Sequence, residues 1–66
     1  MTEYCKTFLS TGKISHFLTA VQLYSGKWAI GTKPYNGNVY QENINYPLFD
    51  TQAEAEKYLS ENFEEV

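Results

Sequence analysis

Three glycine-bearing turn signals cut the first two-thirds of the chain into pieces of strand length: Thr11-Gly12-Lys13, Ser25-Gly26 and Asn36-Gly37. The pieces between them are rich in rings and β-branched residues: "YCKTFLS" (4–10), "SHFLTAVQLY" (15–24), "KWAIGTK" (27–33) and "NVYQENINY" (38–46). A chain cut in this way folds as a meander of short antiparallel strands. The second piece also carries Phe17, Ala20, Val21 and Tyr24 at helical spacing. Ser25-Gly26 decides for strand, because it reads as a two-residue hairpin loop between Tyr24 and Lys27. Asn36-Gly37 reads as a second hairpin turn. Pro34 stops the third strand, and Pro47 ends the fourth or places it at an edge.

The last piece, residues 49–66, has a different period. Ala55, Leu59 and Phe63 recur every four residues, Tyr58 widens the stripe, and Glu54, Glu56, Glu61 and Glu64 lie mostly outside it. This is an amphipathic helix over about 51–64, laid on a sheet. Thr51 and Glu54 match a capping box, with Asp50 as the competing cap. The acidic face is a solvated surface. The fold class that follows is α+β: one domain over residues 1–66, a four-stranded antiparallel meander sheet packed on one C-terminal α-helix.

A chain of 66 residues buries only about 60% of its unfolded surface. Cys5 is the only cysteine, so no internal disulfide forms, and no ligand cluster suggests a metal. Eleven rings (six Tyr, four Phe, one Trp) supply the compensating area. The N-terminus lacks the apolar core of a signal peptide, and no run approaches a membrane span. A cytoplasmic protein without membrane contact is expected. Residues 1–33 carry four lysines and one acid; residues 34–66 carry one lysine and seven acids. There is no arginine, which weighs against base readout and strong phosphate binding.

Strand alternation sorts the side chains into two faces. On the second strand, Phe17, Thr19, Val21 and Leu23 form the more apolar set and should meet the helix. Trp28, Ile30 and Thr32 should join them from the third strand. The first strand splits as Cys5, Thr7 and Leu9 against Tyr4, Lys6 and Phe8, with neither set clearly the more apolar; with the second set outward, the other face would show Tyr4, Lys6, Phe8, His16, Leu18, Gln22, Tyr24 and Lys33. One helix covers one face, so this mixture of rings and lysines is a candidate contact surface.

No catalytic constellation emerges. Ser15 and His16 are strand neighbours pointing to opposite faces, so they do not form a nucleophile–base pair. Cys5 could approach His16 across strands, but no third group orients them. No cofactor motif is present, and a non-enzyme is expected. Rings and lysines on an open sheet resemble a stacking platform for single-stranded nucleic acid, while the acidic helix disfavours direct binding of a polyanion.

The segments "KTFLST" (6–11), "AV" (20–21), "GK" (26–27), "NG" (36–37) and "FDT" (49–51) resemble a type I-F anti-CRISPR protein, a small phage-borne inhibitor with a four-stranded antiparallel sheet backed by helices. Residues 1–33 align with it without a gap. The resemblance implies a host-cytoplasmic protein that binds the RNA-guided surveillance complex through its sheet and blocks target DNA from pairing with the guide. Phe8 falls where the family has an aromatic contact. Gln22 falls where it has a second aromatic, and Lys33 where it has an acid. The expected partner-binding residues are Tyr4, Lys6, Phe8, Gln22, Tyr24 and Lys33, with no catalytic residue, metal or small-molecule substrate. Two alternatives use the same face: a small single-strand-binding domain, and a homodimeric structural domain.

Overall fold

The computed structural model describes residues 3–66. Its elements are β1 (Tyr4–Thr7), β2 (Ile14–Gln22), β3 (Trp28–Pro34), β4 (Gln41–Glu42), α1 (Gln52–Asn62) and β5 (Glu64–Glu65). The strands form one antiparallel sheet in the order β4-β3-β2-β1-β5. The expected α+β architecture is present, with the first four strands in meander order and the C-terminal helix packed on the sheet. The fifth strand is an addition. After α1 the chain turns back, and Glu64 and Glu65 pair with Cys5 and Tyr4 along the free edge of β1.

One loop decides which side chains face the helix. Leu23 N–H donates to Lys27 C=O at 2.8 Å, and Gly26 N–H donates to Leu23 C=O at 3.0 Å. The β2–β3 loop therefore has three residues, Tyr24, Ser25 and Gly26, not two. Gly26 sits at φ 91°, the left-handed position that such a loop requires. With three loop residues Ala20 pairs with Ile30 and Gln22 with Trp28. A two-residue loop would have set Val21 against Ile30. A slip of one residue moves a whole strand's side chains to the other face. So Leu18 and Ala20, not Phe17, Thr19 and Val21, join Ile30 under the helix.

The core is Tyr4, Leu18, Ala20, Ile30, Ala55 and Leu59, with Trp28, Tyr46, Phe49, Tyr58 and Phe63 packed around it. Leu18, Ile30 and Leu59 are fully buried. Each such side chain contributes about 1.5–3 kcal/mol on burial. α1 presents Ala55 and Leu59 inward, as its spacing predicts. Thr51 caps it: its hydroxyl oxygen accepts from Glu54 N–H at 3.2 Å, and its O–H lies 3.2 Å from Glu54 Oε1. Asp50, the rival cap, instead pairs with Lys27.

The fourth strand departs from its expected span of 38–46. Only Gln41 and Glu42 pair with β3 in a ladder. Asn43 then ends it, because its side-chain oxygen accepts from Asn45 N–H at 2.9 Å, a local turn that competes with sheet pairing. The chain bulges out and rejoins β3 where Phe49 and Trp28 exchange two backbone bonds of 2.8 Å. The excursion sets Tyr46 edge-on to Phe63 at 5.9 Å and Phe49 against Tyr58 at 5.4 Å. The preceding turn also differs. It spans Pro34 to Gly37, closed by Gly37 N–H to Pro34 C=O at 2.9 Å. Gly37 therefore takes the last position of the turn and has no positive φ. Pro34 lies within β3 rather than after it. Among the described residues, no helix is long and apolar enough to cross a membrane.

Candidate functional site

The face away from α1 is assembled from cross-strand rows. Cys5 pairs with Phe17 and Phe17 with Lys33; Thr19 pairs with Gly31 and Gly31 with Glu42. Its centre is floored by small residues. Thr19 and Ala29 are each 1% exposed, and Gly31 is buried. The cover over this floor includes one ring. A Cβ on Gly31 would lie 2.8 Å from Val21 Cγ1 and 3.4 Å from Tyr40 Cβ, so the missing side chain makes room for Val21 and Tyr40. Tyr40 then reaches across the sheet, and its hydroxyl donates to the Glu3 carboxylate beside β1. Burial first, and then this bond to Glu3, push the Tyr40 phenol well above its ordinary range.

Lys33 ties the strip together. Its Nζ lies 5.0 Å from the Tyr40 ring centroid and 5.4 Å from that of Phe17. Phe17 in turn stacks on Tyr35 at 5.8 Å, with 22° between the rings. The outcome is a continuous series of Glu3, Tyr40, Lys33, Phe17 and Tyr35, and the Tyr35 end is exposed. Beside it, at the end of the sheet where the β1–β2 loop meets the Pro34–Gly37 turn, lies an open cleft. Phe8, Ile14, Pro34 and Tyr35 supply its apolar lining, with Lys13 among them. Phe8 is 55% exposed and Tyr35 63%.

The six residues expected to bind a partner do not form one patch. Tyr4 is a core residue, 7% exposed, so it cannot anchor a contact. Burial chiefly, then the charges of Glu65 and Glu56, raise its phenol. Lys6 pairs with His16 and Gln22 with Trp28, which puts both on the helix side at opposite ends of the sheet. His16 and Leu18, also expected on the open face, lie on the helix side too, and Leu18 is fully buried. Tyr24 projects from the β2–β3 loop, fully exposed. Of the six, Phe8 and Lys33 alone lie by the aromatic strip and the cleft beside it. Sequence reasoning misses Phe17, Tyr35 and Tyr40 as surface elements. A two-residue loop count misplaces Phe17. Tyr35 and Tyr40 give one available signal, as rings flanking a Pro-to-Gly turn that follows Gly31.

Ser15 and His16 also differ from expectation. Their side chains meet, with His16 Nδ1 3.2 Å from Ser15 Oγ. The cause is a bulge: the pairing shifts between Lys6 and Thr7, leaving Ser15 as the extra residue. The Ser15 hydroxyl donates to Lys6 C=O at 3.0 Å. With that proton committed, the His16 contact needs Nδ1–H as the donor, the reverse of a base receiving the serine proton. Cys5 pairs with Phe17 and His16 with Lys6, so the cysteine and histidine point to opposite faces. Among the described residues no group of three or more His, Cys, Asp or Glu side chains could hold a metal ion. No protein-family model, curated protein or solved structure matches this chain significantly.

Proposed function

We propose that this chain is a non-catalytic inhibitor of the anti-CRISPR type. It docks the sheet face opposite α1 on a host RNA-guided surveillance complex and blocks target DNA by occlusion. One observation carries the reading: the stacked Phe17–Tyr35 pair, with Lys33 across Phe17, lies on the face that the helix leaves uncovered. Rings held rigid by neighbours, with polar groups at their margin, are the anchors of protein–protein contacts. Tyr35 and Phe8 are the anchors here, and Lys33 is the adjacent charge. Tyr24 and Gln22 engage only a partner that wraps around the far end of the sheet.

The sheet edges favour a face-on contact over strand addition. Both edge strands have two residues, and they carry Glu42, Glu64 and Glu65. Short, charged edges resist pairing with another sheet. The same consideration weighs against an edge-to-edge homodimer.

The test is capture of an assembled type I surveillance complex by the immobilised protein, with Tyr35→Ala alongside and circular dichroism to show that the variant folds. The expected result is capture by the wild type, no capture by Tyr35→Ala, and no binding of target DNA by the captured complex. Capture unchanged by Tyr35→Ala would discard the face. No capture at all, with the protein running as a dimer on a sizing column, would replace the inhibitor reading by self-association.

A further inference from the structure

We infer that the cleft at the turn end is a receptor for a short protein segment that presents a large apolar side chain next to a carboxylate. The inference stands whether or not the partner is a CRISPR complex, because it rests on the cleft alone.

Shape comes first. The cleft is lined by Phe8 just after β1, by Ile14 at the start of β2, and by Pro34 and Tyr35 from the end of β3 and its turn. Phe8 N–H donates to Lys13 C=O at 2.9 Å, and Tyr35 N–H donates to Ser15 C=O at 3.1 Å. Both sides are therefore tied into the sheet, and Tyr35 is braced by Phe17 behind it. A concave apolar site with fixed walls accepts one protruding side chain at small entropic cost.

Charge complementarity names the occupant. Lys27 is paired with Asp50. Among the described residues, Lys6, Lys13 and Lys33 have no carboxylate within ion-pair distance. Two of them gather here: Lys13 lines the cleft, and Lys33 lies beside it on the Phe17–Tyr35 strip, whereas Lys6 faces the helix side. No residue lining the cleft is acidic. Five glutamates instead lie along α1 and β5. The apolar depression thus carries one lysine in its lining and a second beside it, with no acid among the residues that line it.

A nucleic acid fits these observations less well. The chain as a whole carries −3, which repels a long polyanion. Two lysines and no arginine give few phosphate contacts, hence little counterion release. Bases stack on open ring faces, whereas Phe17 already covers one face of Tyr35. A short segment with one or two carboxylates meets the lysines without carrying a charged backbone past the acidic helix.

The experiment pans a random-peptide display library on the immobilised full chain, with a random-sequence single-stranded RNA pool in parallel. Enriched peptides are expected to place Phe, Leu or Trp beside Asp or Glu. Their amide perturbations should centre on Phe8, Lys13, Ile14 and Tyr35. Lys13→Glu should weaken the best peptide about tenfold or more, as expected when a charge-assisted hydrogen bond gives way to repulsion between like charges. Phe8→Ala should weaken it comparably, while Lys57→Glu on α1 leaves it unchanged. Amide spectra of each variant report whether the fold is retained. Enrichment of neutral or basic peptides, no enrichment over the Phe8→Ala protein, or tighter retention of RNA than of peptide would each overturn the proposal. A failure to capture the surveillance complex leaves this result standing, so the two readings fail separately.

Discussion

Toward α1 the sheet presents Leu18, Ala20 and Ile30, and a separate element closes over them with Ala55 and Leu59. Away from α1 the same strands present Thr19, Ala29 and Gly31, and Tyr40 from the following loop lies across them, tied to Glu3 and Lys33. The first face is held chiefly by apolar area, which is non-directional. The second buries little aliphatic volume and depends on a ring in one position, a hydrogen bond and a cation beside two rings. It follows that the helix side carries the stability, while the opposite side carries directional contacts that a partner or a change of pH can reach.

The largest effect should come from emptying the helix side. Leu18→Ala removes a fully buried side chain and should cost about 2–5 kcal/mol. In a domain of this size that approaches the whole stability, so circular dichroism should show the variant largely unfolded at 25 °C. A cooperative urea transition within about 1 kcal/mol of wild type would show that the helix face is not the stabilising one. Next in size is Gly31→Ala on the opposite face. Its Cβ would meet Val21 Cγ1 at 2.8 Å, and valine cannot swing away freely. A loss of about 1–3 kcal/mol is expected. Adding Val21→Ala should recover part of that loss. A double-mutant cycle with no coupling would mean that the close approach of Gly31 and Val21 does not hold in solution.

These two residues also mark what can and cannot be read from the chain. The helix stripe and its Thr51 cap are legible because both are local, with all participants within one turn of each other or repeating every fourth residue. The strand-by-strand meander is legible because glycines sit at its turns. Leu18 falls on the wrong face in the sequence reading because that assignment hangs on whether Tyr24 belongs to the strand or to the loop, and the local propensity of one tyrosine does not settle it. Tyr40 is illegible for another reason. Its bond to Glu3 spans 37 positions, and no periodicity links the two. β5 is hidden because Glu64 and Glu65 have no strand preference of their own; the free edge of β1 recruits them. Four of the six expected contact residues move off the open face or into the core as a direct result of the one-residue slip and the packing of Tyr4.

A smaller effect separates the faces by chemistry. Tyr40→Phe deletes the hydrogen bond to Glu3 and leaves the ring, so it should cost about 1 kcal/mol at neutral pH. Its signature lies in alkali. The Tyr40 phenol is raised in the folded state above the ordinary 10.0. The protonated form therefore favours the fold, fully so below pH 10. That contribution is lost as pH rises past 10, because the unfolded chain ionises first. Wild-type stability should accordingly fall with pH in this range, and Tyr40→Phe should fall less steeply. Tyr4 and the Asp50-paired Lys27, both also raised, add to the slope in both proteins. Parallel slopes would remove Tyr40 from the account of the uncovered face.

The smallest effect on stability should belong to Phe8→Ala, and its smallness is what makes it informative. Phe8 is a large ring left 55% exposed at a cleft, outside the core cluster. Truncating it removes little buried area, so the unfolding free energy from a urea titration should change by no more than about 0.5 kcal/mol. Phe17→Ala, further inside the sheet on the face away from α1 and stacked on Tyr35, should cost more. A ring that contributes nothing to folding yet lies beside a rigid apolar depression is a surface held for contact. If Phe8→Ala instead destabilises the protein as much as Phe17→Ala does, Phe8 packs into the cleft in solution and fills it. The aromatic end would then be one more piece of core, and the difference between the two faces of the sheet would be one of degree.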